Sequence, residues 1–219
     1  MPDGSQTFSS TELFALCKNP YRRALLERLD ERAEPTTVGE VARAIDSRMA
    51  STGQETTGSA SIESTLRHVH LPQVAAAELV SWDGDSVRLT DAGRRAANQL
   101  RQLVETRPDG YSWEALFDAL ADPVRQSVLE TLVAERTPIS QTALATAVDS
   151  DARSGADSDP ERLLVRLHHV HLPKLEAADL VSYDRDERTV DLATDDEDAS
   201  WASSVCDVIS TDEIAFASP

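Results

Sequence analysis

All five histidines of this 219-residue chain lie in two short runs: His68 and His70, then His168, His169 and His171. Imidazoles gathered like this raise metal coordination first. On a helix, however, His68 and His70 diverge by about 200°, and only His168 and His171 share a face. No cysteine or carboxylate recurs beside them at ligand spacing, so no metal and no cofactor is expected. Nor is there a phosphate-cradling glycine loop, a nucleophile motif or a carboxylate pair kept by both runs, and the chain is not expected to be an enzyme.

The same stretches carry a different chemistry. With Leu66 as reference and about 100° per residue, Ile62 and Val69 fall beside it as a buried stripe, as Leu163 and Val170 do beside Leu167. Opposite that stripe stand Ser61, Ser64, Thr65 and His68, and in the second run Arg162, Val165, Arg166 and His169. Arginine makes paired hydrogen bonds to guanine, and serine or threonine reaches base edges or phosphates. With Arg67 and Lys174 on the helices, and Arg88, Arg185 and Arg188 on the hairpins that follow, these are the candidate DNA-contacting residues. Asp83, Asp85, Asp184, Asp186 and Glu187 at the hairpin tips oppose them by repelling phosphate.

The residues sit in a duplication. LRHVHLPQVAAAELVSWDGD (residues 66–85) returns as LHHVHLPKLEAADLVSYDRD (167–186), with HVHLP unchanged. Upstream, residues 14–37 match residues 117–140. A repeat of about a hundred residues predicts two small domains: a disordered lead-in (1–9), a first domain with a C-terminal bridging helix (10–107), a second domain (108–194) and an acidic tail with a possible short helix (195–219). Within each repeat, Asn19-Pro20 and Asp122-Pro123 start a helix. Thr37 with Glu40 makes a capping box, and Ser140 caps the equivalent short helix. Polar segments at 46–60 and 149–159 read as surface loops. The repeated helix follows, then an alternating segment turning at Asp83-Gly84, a two-stranded hairpin signature. Pro72 and Pro173 predict a bend at 70–72 and 171–173 that rephases the buried stripe, with His70 and His171 bonding backbone freed there. Thr90 caps a helix whose stripe is Ala96, Leu100, Leu103 and Val104. In the tail Trp201, Val205, Val208 and Ile209 line one helix face.

Net charge is −18, and 19 of the 21 basic residues are arginine. Abundant Asp with almost no Lys resembles proteins that work in molar salt, where the screening length falls to roughly 3 Å and net charge says little about partners. Cys17 and Cys206 match no metal or redox spacing and are expected as reduced thiols. The N-terminus MPDGSQTFSS has no signal-peptide pattern and no apolar run spans a membrane, so a cytoplasmic protein is expected.

The order helix, helix, helix, hairpin predicts a mainly α chain with small β-hairpins, built as two tandem winged helix-turn-helix domains. The run from His70 to Val80, repeated from His171 to Val181, resembles the end of the recognition helix and start of the wing in ArsR-type regulators. Glu78 and Asp179 stand where those sequences favour glycine, and the proline is foreign to them. The duplicated HVHLP form with Asp-rich wings is similar to an uncharacterised haloarchaeal winged-helix family over most of residues 11–193. The resemblance implies a DNA-binding transcription regulator with double-stranded DNA as partner. The apolar stripe of the helix at residues 90–107 either bridges the domains or supplies the seam of a homodimer. The alternative is a protein-interaction module on the same core that does not bind DNA.

Overall fold

The computed structural model describes residues 9–32, 34–51, 53, 57–106, 112–150, 160–193, 205–206 and 208–209. Of the expected lead-in only Ser9 lies within them. The described chain is mainly helical, with two small antiparallel sheets of three strands each. Its contacts divide it into two compact units: Leu16–Arg101 in the first, and Ser10–Ala15 with the residues from Gln102 onward in the second.

In the first unit the local signals act where the side chains predict. Asn19 Oδ1 accepts from Tyr21 N at 2.9 Å, opening α2 (Pro20–Asp30) with proline in the first turn, where its missing N–H costs nothing. Pro35 is followed by β1 (Thr36–Thr37) and α3 (Val38–Ser51). Their junction is a capping box, with Thr37 N donating to Glu40 Oε2 at 3.0 Å and Glu40 N to Thr37 Oγ1 at 3.3 Å. The Thr37 backbone N–H, followed by the Thr36 and Thr37 hydroxyls that also donate to Glu40 Oε2, holds the Glu40 carboxyl down at about 2. The polar segment predicted as loop from Asp46 is helical to Ser51. No Gly or Pro interrupts DSRMAS, and Arg48 pairs with Glu27 of α2.

The repeated helix begins as α4 (Ser59–Thr65), runs through a π-turn (Leu66–His70) and resumes as α5 (Leu71–Ala76). The π-turn is how the chain accommodates Pro72: Leu71 N reaches back five residues to Leu66 O, and the proline falls in the first turn of the helix that follows. One extra residue in the turn shifts the buried stripe. Ile62, Leu66, His70, Leu71 and Val74 are inside, while Val69 is 46% exposed. The expectation that Val69 is buried is therefore corrected; His70 occupies its place. α5 closes in a Schellman motif, Glu78 N donating to Ala75 O at 2.9 Å and Leu79 N to Val74 O at 3.1 Å, with Leu79 and Val74 both buried. Glu78 has φ 55°, the left-handed conformation that glycine adopts most readily.

β2 (Val80–Trp82) and β3 (Ser86–Leu89) form the hairpin, with Asp83 Oδ1 accepting from Asp85 N and Ser86 N at its tip. The hairpin gains a third strand that the sequence reading lacked: β1 pairs with β3, giving the order β1-β3-β2. Two residues are too few for an alternation signal. α6 (Asp91–Thr106) is capped by Thr90, whose Oγ1 accepts from Gly93 N at 3.0 Å. Gly93 lies so close to the hairpin that a Cβ would sit 1.9 Å from Leu79 O. Ala96, Leu100 and Leu103 of α6 are buried as expected, but Val104 is 44% exposed.

The second unit repeats the plan with α7 (Trp113–Leu120), α8 (Pro123–Glu135), β4 (Ile139–Ser140), α9 (Gln141–Ser150), α10 (Pro160–Arg166), a second π-turn (Leu167–His171), α11 (Leu172–Glu176), β5 (Val181–Asp184) and β6 (Thr189–Leu192). Its sheet has the order β4-β6-β5. Asp122 Oδ1 accepts from Val124 N and Arg125 N, and Ser140 Oγ from Ala143 N. The segment expected as loop from Asp149 is helical at Asp149 and Ser150; residues 151–159 lie outside the described residues. Val170 is 43% exposed where burial was expected, and His171 is inside, for the same reason as in the first repeat. A second Schellman motif ends α11, with Asp179 at φ 53°. Phe14 meets Phe117, which stacks on Trp113, and Ser10 and Thr11 donate to Gln126 Oε1. Val205, Cys206, Val208 and Ile209 of the tail are helical and buried; Trp201 lies outside the described residues. Among the described residues no helix is long and apolar enough to cross a membrane.

Candidate nucleic-acid interface

In each repeat the helix ahead of the π-turn presents one face to solvent. On α4 and its π-turn Ser61, Ser64 and His68 are exposed and Thr65 is half-buried, its Oγ1 donating to Ser61 O at 3.0 Å. On α10 and its π-turn Arg162, Val165 and His169 are exposed and Arg166 is half-buried. Residues 162, 165, 166 and 169 follow the i, i+3, i+4, i+7 spacing of one helical face, as do 61, 64, 65 and 68.

Arg67 faces elsewhere. Its guanidinium donates to Glu63 Oε1 at 2.8 and 3.0 Å, to Asp85 Oδ1 at 3.1 Å and to Gly84 O, tying the helix to the hairpin tip. The Glu63 and Asp85 carboxylates raise its pKa further. The equivalent residue, His168, brings Nδ1 within 2.5 Å of Tyr183 Oη, whose hydroxyl donates to Gln141 Oε1 at 3.2 Å. Gln141 in turn donates to Leu164 O at 2.8 Å, so strand β5, helix α9 and helix α10 are joined by one polar chain. The two repeats thus fix hairpin to helix by different means. Sequence reasoning found neither, since both depend on side chains from separate elements.

Lys174 is exposed and pairs with Asp118 at 2.9 Å. On the hairpins Arg88, Arg185 and Arg188 are exposed. Arg185 pairs with Glu176 and lies 5.4 Å from the Tyr183 ring centroid, while Arg188 takes a left-handed turn conformation with φ 53°. Asp83, Asp85, Asp184, Asp186 and Glu187 stand beside them, exposed. Backbone N–H groups of Ser86 and Asp85 pull the Asp83 carboxyl below its ordinary range, so that tip keeps its negative charge.

The buried histidines stand behind the exposed face and do not bond the backbone as expected. His70 stacks on Tyr21 with ring centroids 5.6 Å apart, and its Nδ1 has no hydrogen-bond partner. His171 places Nδ1 3.5 Å from the guanidinium of Arg125 and 3.7 Å from Asp122 Oδ1. Burial lowers the pKa of both; Arg22 assists at His70, while at His171 Asp122 opposes the fall to about 4 and Arg125 assists it. Arg125 is itself buried and donates to Ala119 O and Asp118 O. No group of three or more metal-ligating side chains converges among the described residues.

The structural repeat is also the unit of a recognised family. The model described as Domain of unknown function (DUF7344) matches residues 14–90 and again residues 117–191. The chain belongs to this family. Its two DUF7344 segments each contain two capped helix starts, one π-turn and the strands of one three-stranded sheet; the first takes in the second half of α1 (Ser10–Cys17), and α6 lies outside both. Searches of the curated proteins and of the solved structures found no match.

Proposed function

We propose that this DUF7344 protein is a DNA-binding transcription regulator built from two winged-helix domains and adapted to high salt. The observation that carries the reading is the exposed face of α10, Arg162, Val165, Arg166 and His169, on the helix immediately before a hairpin. Support for the winged-helix assignment comes from element order: helix, short strand, helix, reading helix, then two strands, with the short strand on the sheet edge. In that arrangement α4 and α10 are the recognition helices and the β2–β3 and β5–β6 hairpins are the wings. The ArsR-type likeness agrees with the left-handed residue before the wing, though the π-turn is a departure from it.

The acidic wing tips repel phosphate at low ionic strength and much less in molar salt, so binding should weaken as salt is removed, the reverse of ordinary protein–DNA behaviour. The test is a fluorescence titration of the full chain with genomic duplex fragments in about 2 M KCl and at lower salt. The parent should bind, and Arg162→Ala plus Arg166→Ala should abolish or strongly reduce binding. Equal binding by parent and double variant removes α10 from the reading. A second reading, a protein-interaction module, is favoured by Val69 and Val170, exposed at equivalent places in the two repeats. Absence of DNA binding at every salt concentration would select it. Val104 on α6 is the apolar position through which a second copy would pair across residues 90–107.

A further inference from the structure

The exposed faces of the two repeats have diverged at three of four equivalent positions: Ser61, Ser64 and Thr65 in the first stand where the second has Arg162, Val165 and Arg166, while His68 matches His169. The first face offers short hydroxyls, and the Thr65 hydroxyl is already bonded to Ser61 O. Arg67, the one arginine on that helix, is committed to Glu63, Asp85 and Gly84. The second face combines two arginines with Val165, which at 60% is the most exposed large apolar side chain among the described residues.

A valine between two cations is poorly suited to an apolar protein surface, where both charges would lose their hydration. It suits a DNA groove. The thymine C5-methyl is the apolar feature of the major groove, and arginines beside a methyl contact, here one turn before Val165 and at the position after it, meet guanine edges or phosphates. On α10 itself Arg162 and Arg166 stand with one acid, Glu161, in a chain of net charge −18. Resting on the DNA-binding reading above, we infer that the repeats divide the work: the second reads sequence, Val165 recognising a thymine methyl, and the first grips the duplex without reading bases.

Genomic fragments amplified once with thymidine and once with deoxyuridine triphosphate differ only in that methyl. In about 2 M KCl, the full chain should bind the thymine fragments about fourfold more tightly for each methyl buried. Val165→Ser should bind both sets equally, with an unchanged far-UV circular dichroism spectrum because Val165 faces solvent. Ser61→Ala with Ser64→Ala and Thr65→Ala should weaken binding to both sets alike and keep the thymine preference. A parent that binds both sets equally overturns the inference while leaving DNA binding intact, as does a preference that survives Val165→Ser or vanishes in the triple variant. A triple variant of unchanged affinity overturns the first repeat's share. A parent that binds neither set overturns the DNA-binding reading together with this one.

Discussion

His171 provides a titration that stability itself should report. The ring is 1% exposed, Arg125 faces its Nδ1, and its Nε2 has no hydrogen-bond partner. Among the described residues Asp122 at 3.7 Å is the acid that would compensate a proton there, and burial with the nearby Arg125, Arg166 and Lys174 holds the folded pKa at about 4. In the unfolded chain the imidazole titrates near about 6.5. The folded value is the lower one, so protons bind preferentially to the unfolded state. Stability from this group is fully present above about pH 6.5 and is lost as the pH falls toward the folded value, at no more than about 1.4 kcal/mol per pH unit. From pH 8 to pH 5 the loss amounts to about 2 kcal/mol. The assay is urea unfolding of the full chain at both pH values in constant high KCl, followed by tryptophan fluorescence, for the parent and His171→Gln. Gln cannot titrate, so the carboxylates common to both proteins cancel in the comparison. The variant is expected to be less stable at pH 8 yet to lose about 2 kcal/mol less on acidification. Equal losses in the two proteins would refute a neutral, buried His171. His70, whose pKa is also lowered by burial, should add an effect of the same sign.

Three further outcomes follow from backbone geometry and side-chain ties. Glu78→Gly and Asp179→Gly relieve left-handed strain at the two Schellman positions and should each raise stability by about 1 kcal/mol, seen as a higher thermal midpoint. Gly93→Ala forces a methyl group against Leu79 O and should cost about 1–3 kcal/mol in the same assay. Arg67→Ala releases the first hairpin tip, so amide exchange at Asp85 and Ser86 should quicken at low salt, with a smaller effect in molar KCl where the ion pairs are screened.

Features set by local chemistry were legible in the sequence. Asn19, Asp122, Thr37 with Glu40, and Thr90 each sit two or three residues from the N–H groups they satisfy, and each caps as its type predicts. The buried positions Ile62, Leu66, Leu163 and Leu167 follow from the 3.6-residue period as long as the helix keeps it. Past Leu66 the period changes. An α-helical wheel assigns Val69 and Val170 to the core and sets His70 and His171 at its edge; the wide turn carries the two valines out and Leu71 and Leu172 in, and the proline located that irregularity without revealing its form. β1 and β4 were missed because two-residue strands exist through pairing with β3 and β6 rather than through their own pattern. At the candidate site the exposed face was legible, but the role of Arg67 was not. Nothing local distinguishes an arginine bound by Glu63 and a distant Asp85 from one available to DNA.

The wide turn also isolates the two ends of the repeated helix from each other. Closing it to an ordinary α-turn by deleting one residue from the LRHVH segment would rotate everything after it by about 100° about the helix axis. Leu71 and Val74 would leave their pockets, and the sheet that follows would be re-aimed relative to the face carrying residues 61–65. Insertions and deletions in that five-residue span should therefore be far less tolerated than substitutions at its solvent-facing positions, because length there sets the aim of the hairpin and composition does not.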